Sequence, residues 1–301
     1  MRFQMKTHDA HCHFFSPRFF EVLAAQGDFG TDEPANHVAE VLGWDLPSSA
    51  EALADRWVGE LDRHKVGRAA VMSSVPGDQD SVAKAVSQHP DRLVGFFMLD
   101  PTKEGALDVT ERAFQDMGLR CVCLFPAMHH YHVYDERVVS VFDAAARAKA
   151  AVFVHCGVLS VGVRKKLNLT SRFDMRFGNP IDLHSVALSF PRLPIIIPHF
   201  GSGLFREALM VADICSNIYL DTSSSNSWIS YYPGLTLDDA FSQSLAVVGP
   251  NRLIFGTDSS YFPRGWQTHI YDEQVKILDR LGIGNEDQQK IFAGNFDRIF
   301  Y

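Results

Sequence analysis

Histidines and an aspartate crowd a short stretch near the start of the chain, HDAHCH at residues 8–13. Alternate side chains of a β-strand point to the same face, so a strand here is expected to present Asp9, His11 and His13 together. Ala10 and Cys12 would face the other way. Two neutral imidazoles at this spacing can bind one metal ion through their nitrogens. An isolated pair of this kind is more often exposed or hydrogen-bonded, so a metal site needs support from elsewhere in the sequence.

The same kinds of side chain recur where three later apolar runs end. His155 closes the run VFVH, His199 closes IIIPH, and Asp258 closes FGTD. Histidine and aspartate are costly to leave within an apolar strand unless another group pairs with them. Because the strands of a barrel converge on one mouth, these side chains are expected to meet those of the first strand there. Independent, hydrogen-bonded core histidines are the less favoured alternative.

The elements that would bring these residues together are short, almost continuously apolar strands. They span residues 5–12, 69–75, 93–100, 121–125, 151–157, 194–201, 218–224 and 253–260. Continuous apolar character is typical of strands that are buried on both faces. Between them, apolar residues three and four apart predict amphipathic helices, most clearly over 48–65, 135–150 and 266–282.

This alternation predicts an α/β fold, a (β/α)8 TIM barrel formed by residues 1–301 as a single domain. An open, doubly wound sheet is the alternative. The connections at residues 15–47, after strand 1, and 158–179, after strand 5, are too long for simple loops. They are expected to be insertions that shape a pocket or a lid.

Composition narrows the class of partner. The chain is 46% hydrophobic and 21% charged, which is typical of a globular protein. Its formal net charge of −8 argues against a nucleic-acid partner, because phosphate binding needs clustered lysine and arginine. No apolar run reaches the ~20 residues of a membrane helix, and the first ten residues do not have the apolar core expected of a secretory signal. We therefore expect a cytoplasmic protein without a membrane partner, whose five cysteines are reduced and buried.

Taken in order, the motifs resemble those of the amidohydrolase superfamily. They are D-x-H-x-H at residues 9–13, V-H-C-G at His155, P-H-F-G at His199 and F-G-T-D at Asp258. The set is most similar to the amidohydrolase-related branch that contains amino-carboxymuconate-semialdehyde decarboxylase and related aromatic-acid decarboxylases. The closing GNFDRIF is similar to the terminal G-N-x-x-R-x-F of that branch. Here Asn295 is expected to cap the final helical turn, and Arg298 to tie it to the barrel.

The resemblance implies a metal-dependent enzyme with one divalent ion bound by four side chains, His11, His13, His155 and Asp258. His199 would hydrogen-bond a water on that ion. Many superfamily members bridge two ions with a carbamylated lysine on the fourth strand, where this chain has Cys123. The departure favours a single ion. Three nitrogens and a carboxylate suit Zn²⁺ best, although Mn²⁺, Fe²⁺ or Co²⁺ would accept the same ligands.

Two reactions are compatible with such a site. In hydrolysis, a metal-activated water attacks an ester, amide or lactone, with His199 taking its proton and Asp258 sharing that role. The alternative is non-hydrolytic decarboxylation of an aromatic or conjugated acid, in which metal-bound water or a protonated His199 helps to protonate the substrate carbon as CO₂ leaves. A metal-binding protein without catalysis is the least favoured hypothesis. Asp9 is expected to orient a ligand imidazole or to pair with a nearby base.

A small carboxylate-bearing substrate would need a cation at the barrel mouth. The planar guanidinium group of arginine matches a carboxylate with two hydrogen bonds. The candidates are Arg164, Arg172 and Arg176 in the second insertion, and Arg264 after the eighth strand. Aromatic residues around the first insertion, Phe14, Phe15, Phe19, Phe20 and Trp44, would wall an aromatic substrate or simply pack the insertion. The branch resemblance also suggests a homodimer.

Overall fold

The described part of the chain, residues 5–224 and 226–301 of a computed structural model, contains one sheet of eight parallel strands. Each strand overlaps one of the predicted apolar runs. The strands are β1 (His8–Phe14), β2 (Arg68–Ser73), β3 (Leu93–Leu99), β4 (Cys121–Leu124), β5 (Ala151–Val154), β6 (Ile195–Ile197), β7 (Ile218–Asp221) and β8 (Leu253–Ile254).

Hydrogen bonds between the last strand and the first close the sheet into a barrel. The main-chain N–H of Ala10 donates to the carbonyl of Phe255 (2.9 Å), and that of Asp258 donates to the carbonyl of His11 (2.9 Å). All other neighbours pair in sequence order. The predicted TIM barrel is therefore confirmed, and the open doubly wound sheet is excluded.

Helices alternate with the strands around the outside of the barrel. They are α1 (Pro17–Ala24), α2 (Pro34–Leu42), α3 (Ala50–Arg63), α4 (Gln79–Gln88), α5 (Ala106–Gln115), α6 (Pro126–His129), α7 (Glu136–Arg147), α8 (Gly162–Lys166), α9 (Leu183–Ser189), α10 (Phe205–Ile214), α11 (Leu237–Val248), α12 (Thr268–Arg280), α13 (Asn285–Gln289) and α14 (Asn295–Phe300). The three clearest sequence predictions correspond to α3, α7 and α12.

Local capping explains where several helices begin. The Ser49 hydroxyl accepts the main-chain N–H of Ala52 (3.1 Å) and starts α3. Thr236 and Asp239 bond reciprocally at the start of α11. Each such cap satisfies main-chain donors that a helix cannot pair internally, and contributes about 1 kcal/mol.

Three apolar clusters hold the barrel and the first connection together. One lies between the sheet and the outer helices and includes Trp57 and Phe142. The second fills the barrel interior with side chains such as Phe153. The third unites α1 and α2, which lie in the connection 15–47, with side chains such as Phe20. Burial of each such aromatic ring contributes roughly 1.5–3 kcal/mol.

Strand β1 departs from regular alternation because it contains a bulge. Its pairing with β2 shifts between Asp9 and Cys12. An extra residue there turns two consecutive side chains to the same side of the strand. Ala10 packs inside the barrel, and the ring of His11 meets a phenylalanine of the same interior cluster. Asp9 points outward to the indole of Trp266, so the prediction that it shares a face with His11 is wrong.

The C-terminal helix α14 covers the end of the barrel at which the strands begin, opposite the mouth. Its Phe296 and Phe300 pack into the interior cluster. The sequence suggested that Asn295 caps this helix, but that prediction is wrong. The side-chain amide of Asn295 instead donates to the carbonyls of Pro250 (2.8 Å) and Leu253 (2.5 Å) at the start of β8. The Arg298 guanidinium donates to the main-chain carbonyl of Asn251, just before β8, and so ties the helix to the barrel, as predicted.

The described cysteines and helices bear on two further expectations. Each of the five cysteines is buried and unpaired, as predicted. Within residues 5–224 and 226–301, no helix combines the length and apolar character needed to cross a bilayer.

Replacing Asn295 with alanine should lower the free energy of unfolding by about 1–3 kcal/mol, because two main-chain carbonyls lose their donor in the protein interior. Urea denaturation measures the change. The matched control is Arg298→Ala, an exposed side chain of the same helix, which should cost less than about 1 kcal/mol. Equal losses in the two variants would contradict this role for Asn295.

Candidate active site

Three side chains from β1 and the end of β8 form a cluster that could hold a metal ion. Nε2 of His13 lies 3.1 Å from Oδ1 of Asp258, and Nε2 of His11 lies 3.6 Å from the same oxygen. One donor atom from each of the three residues lies within 4.8 Å of the others. His11 is almost fully buried, whereas the side chains of His13 and Asp258 are 22% and 19% exposed. Solvent or substrate therefore approaches from the side of His13 and Asp258.

Hydrogen bonds to the second ring nitrogens aim both histidines at the cluster. Nδ1 of His11 lies 2.6 Å from Oδ2 of Asp221, at the end of β7, and Nδ1 of His13 lies 2.7 Å from the Ser74 hydroxyl. Such partners fix the ring orientation and leave Nε2 for a metal. The strand-end position of Asp221 was a usable sequence signal, whereas nothing in the sequence distinguishes Ser74 from other loop serines.

His155, just after β5, is the candidate fourth ligand, although it lies outside the group of three whose donor atoms are within 4.8 Å of one another. It is buried, its ring stacks on Phe125 at 5.5 Å, and the ring of His199 is 5.6 Å away. Burial, and then the neighbouring histidines, lower the pKa of His155 to about 3, so the ring is neutral. Its Nδ1 has no hydrogen-bond partner among the described residues. A buried neutral imidazole with an unused nitrogen fits a metal ligand, and the donor set of three histidines and one carboxylate suits a divalent ion.

The electrostatics of the cluster also favour a cation. Burial lowers the pKa of His11, but the charge and hydrogen bond of Asp221, with smaller effects from Asp258, outweigh burial and raise it to about 9. Burial raises the pKa of Asp258, yet a hydrogen bond from His13 and the nearby imidazoles hold it well below its usual range. The carboxylates that favour a proton on His11 would also favour a divalent cation, which would displace that proton from the ring on binding.

His199 enters the site from an unusual main-chain turn after β6. The φ angles of His199 (52°) and Phe200 (53°) are positive, as is that of Asp258 (59°). Side-chain-bearing residues adopt this region rarely, at a cost of about 1–3 kcal/mol each. The turn places the His199 ring 5.0 Å from that of His11, and its Nδ1 2.9 Å from the Ser223 hydroxyl. Burial lowers the pKa of His199.

The glycines of the motifs allow these segments to approach closely. A β-carbon on Gly256, in F-G-T-D, would lie 2.7 Å from Cβ of His11 and 2.8 Å from Oδ1 of Asp221. A β-carbon on Gly157, in V-H-C-G, would lie 2.2 Å from the carbonyl oxygen of Gly201, in P-H-F-G. Both distances are too short for any larger residue, so these two glycines let the strand ends reach one site.

Asp9 has a different role from the expected one. It is fully buried and accepts hydrogen bonds from the main chain of His11 (2.9 Å), from Thr257 (2.5 Å to its hydroxyl) and from the indole of Trp266 (2.7 Å). Burial raises the pKa of Asp9, and these donors oppose the rise. Asp9 therefore links β1 to the segment after β8, and Asp221 orients the His11 ring instead.

The four candidate arginines are placed very differently. Arg176 forms an ion pair with Asp174 (2.5 Å), and Arg164 is held by several loop groups. Arg172 is exposed. Arg264 alone of the four contacts the metal-ligand cluster: its guanidinium lies 3.5 Å from the main-chain oxygen of Asp258 and bonds the Ser260 hydroxyl.

An aromatic stack runs from the cluster to this arginine. Phe15 lies 5.6 Å from the His13 ring and stacks on Trp44 at 5.0 Å. Trp44 stacks in turn on Tyr261 at 4.2 Å, and the Arg264 guanidinium lies over Tyr261 at 4.4 Å. Phe15 and Trp44 are half-buried at the mouth, whereas Phe14 of β1 and Phe19 and Phe20 of α1 are buried in the core.

Residues 8–300 match the family model described as amidohydrolase. The chain belongs to the amidohydrolase family. This amidohydrolase is 22% identical to the 2-keto-4-carboxy-3-hexenedioate hydratase of Sphingobium sp. strain NBRC 103272 / SYK-6, over 90% of this chain and 88% of the hydratase. The predicted family is therefore confirmed, and the chain is an enzyme of that family.

Solved structures show the same fold at low sequence identity. A probable 2-pyrone-4,6-dicarboxylic acid hydrolase from Acinetobacter baumannii, with citric acid bound, is 15% identical with a TM-score of 0.63, covering 98% of this chain and 99% of the other. A dihydroxybenzoic acid decarboxylase from Polaromonas sp. JS666, with bound manganese and 2-nitroresorcinol, is 17% identical with a TM-score of 0.65, covering 99% and 97%. Both share the fold of this amidohydrolase.

The purified protein should contain about one equivalent of divalent metal, because the cluster supplies ligands for a single ion. The double variant His11→Ala and His13→Ala should lose that metal. His184→Ala, which removes an exposed histidine on α9, should retain it. Elemental analysis after gel filtration measures the content. Retention by the double variant, or a stoichiometry near two in the unaltered protein, would refute the single-ion site.

Proposed function

We propose that this amidohydrolase is a metal-dependent hydrolase that uses an activated water to open an ester, amide or lactone of a small carboxylate-bearing substrate. The supporting observation is the meeting of His11, His13 and Asp258 around one point, with the unpaired ring of His155 close by. In the proposed site these four side chains hold one divalent ion, Zn²⁺ being the first choice. Mn²⁺ is the next choice, since the related decarboxylase from Polaromonas contains manganese.

A bound ion would lower the pKa of a water to near 7 and polarise the oxygen of the substrate carbonyl. Asp258 is placed to accept a proton from that water, because its carboxylate lies on the open side of the cluster and stays ionised. The His199 ring lies 5.0 Å from the His11 ring, beside the same cluster. Its buried, neutral ring would hydrogen-bond the reacting groups.

The substrate carboxylate is assigned to Arg264. Its guanidinium is exposed beside Asp258 and, within residues 5–224 and 226–301, has no acidic partner such as the one that neutralises Arg176. An exposed, planar cation next to the cluster can bind a carboxylate with two hydrogen bonds. The stack of Phe15, Trp44 and Tyr261 would then lie along the substrate between the cluster and the arginine.

Decarboxylation of an aromatic or conjugated acid is the second candidate function. The aromatic stack favours it, since a flat aromatic acid would fit against flat rings. The likeness to the Polaromonas decarboxylase agrees with it, and the names of the hydratase and hydrolase relatives agree with water chemistry. We also propose that the protein is cytoplasmic, which agrees with its five buried cysteines outside disulfide bonds. A homodimer is proposed as its assembly.

Released CO₂ separates the two reactions. The metal-loaded protein would be incubated with a panel of aromatic and conjugated acids, and with lactones, esters and amides that carry a carboxylate. Hydrolysis predicts bond opening without CO₂, whereas decarboxylation predicts stoichiometric CO₂ from the acids. Turnover should disappear in the double variant of His11 and His13. A protein that retains its metal and turns over neither class across the panel would contradict the proposed function.

Substitution of Arg264 should affect binding of the substrate more than its conversion. For any carboxylate substrate found, Arg264→Ala should raise KM by about tenfold or more, because a charge-assisted pair contributes about 1.5–3 kcal/mol. Arg264→Lys should recover part of the loss, since it keeps the charge but not the fork. The control Arg176→Ala should leave KM unchanged, because Asp174 already pairs with that side chain. An unchanged KM in Arg264→Ala would remove this arginine from the site.

A further inference from the structure

One buried hydroxyl joins two histidines of the site. Ser223 follows β7 and is fully buried. Its Oγ lies 2.9 Å from Nδ1 of His199 and 3.1 Å from Nδ1 of His11. Its main-chain N–H donates to Oδ1 of Asp221 (2.7 Å), which fixes the residue against the carboxylate that orients His11. The hydroxyl has one proton to give, so it can donate to only one of the two rings.

The proton on Nδ1 of His11 is already determined by its partner. Asp221 is 2.6 Å away, and an ionised carboxylate can only accept hydrogen bonds. Nδ1 of His11 must therefore carry a proton, which is also the arrangement that leaves Nε2 for a metal. A protonated ring nitrogen cannot accept a second hydrogen bond. The Ser223 hydroxyl consequently donates to the other ring, that of His199.

We infer that Ser223 holds His199 in the tautomer whose proton is on Nε2, so that His199 offers a hydrogen-bond donor, and not a base, to the substrate. The opposite tautomer would place a proton on Nδ1, toward the Ser223 hydroxyl. It would leave the hydroxyl proton of Ser223 without an acceptor among the described residues, in a position with no solvent. An unsatisfied buried donor is costly, so the first tautomer is favoured.

His199 and Asp258 therefore have different roles, whereas the sequence left proton acceptance shared between them. With a proton on Nε2, His199 stabilises negative charge on a substrate oxygen by donating a hydrogen bond. Proton acceptance then falls to Asp258. Ser223 is a positioning residue, because it acts through His199 and touches no substrate itself. The assignment of roles rests on the proposed function, whereas the tautomer is a property of the folded protein that can be measured without substrate.

Nitrogen NMR of the zinc-loaded protein, labelled with ¹⁵N-histidine, tests the tautomer. His199→Gln identifies the His199 signals by their loss. Nδ1 of His199 should resonate as an unprotonated ring nitrogen and Nε2 as a protonated one. In Ser223→Ala the donor to Nδ1 is removed, and the tautomer with its proton on Nδ1 should become populated. Protonated Nδ1 in the unaltered protein would overturn the inference, whether or not the enzyme proves to be a hydrolase.

Kinetics supply a second readout. Ser223→Ala should lower kcat by about 10-fold to 100-fold while the metal content stays at that of the unaltered protein. Ser230→Ala removes an exposed hydroxyl of the same connection, one that donates to the carbonyl of Ser227, and should leave kcat unchanged. An unchanged kcat in Ser223→Ala would overturn the positioning role. Loss of metal in this variant would also overturn it, since Ser223 would then be supporting the ion and not His199.

Discussion

Ionisable groups shielded from water must neutralise one another, and this requirement shapes the whole mouth of the barrel. Imidazoles from three strands face the carboxylates of Asp221 and Asp258 in a space with little solvent. An isolated charge in such a place would be strongly unfavourable, so each carboxylate contacts an imidazole and each imidazole needs a partner. His155 has one nitrogen without a partner among the described residues. A divalent cation would satisfy that nitrogen and balance the remaining negative charge at once.

The scaffold must hold the site in conformations that a free chain would avoid. His199 and Asp258 both have positive φ, and the close contacts at Gly256 admit no side chain. Such strain persists only where the surrounding structure is rigid. The hydrogen bonds of Asp9 to the segment after β8, and the packed barrel interior, supply that rigidity. Residues far from the chemistry therefore contribute to it by holding the strand ends in place.

Much of this arrangement could be predicted from the sequence, because its signals are local. Apolar runs gave the strands, and polar residues at their ends pointed to one mouth, where His11, His13 and Asp258 do meet. The bulge in β1 could not be predicted, since a regular strand and a strand with a one-residue bulge are both compatible with this sequence. For the same reason Asp9 was placed on the wrong face. The partners Ser74 and Ser223 depend on contacts between distant segments, which leave no pattern in a single sequence.

The proposed site binds one cation at the barrel mouth through four side chains. Anomalous diffraction at the absorption edge of the bound metal, on crystals of the purified protein, locates the ion directly. We expect a single peak within bonding distance, about 2.0–2.3 Å, of His11, His13, His155 and Asp258. A peak elsewhere, two peaks at the mouth, or a metal-loaded protein with no peak among these four side chains would contradict it.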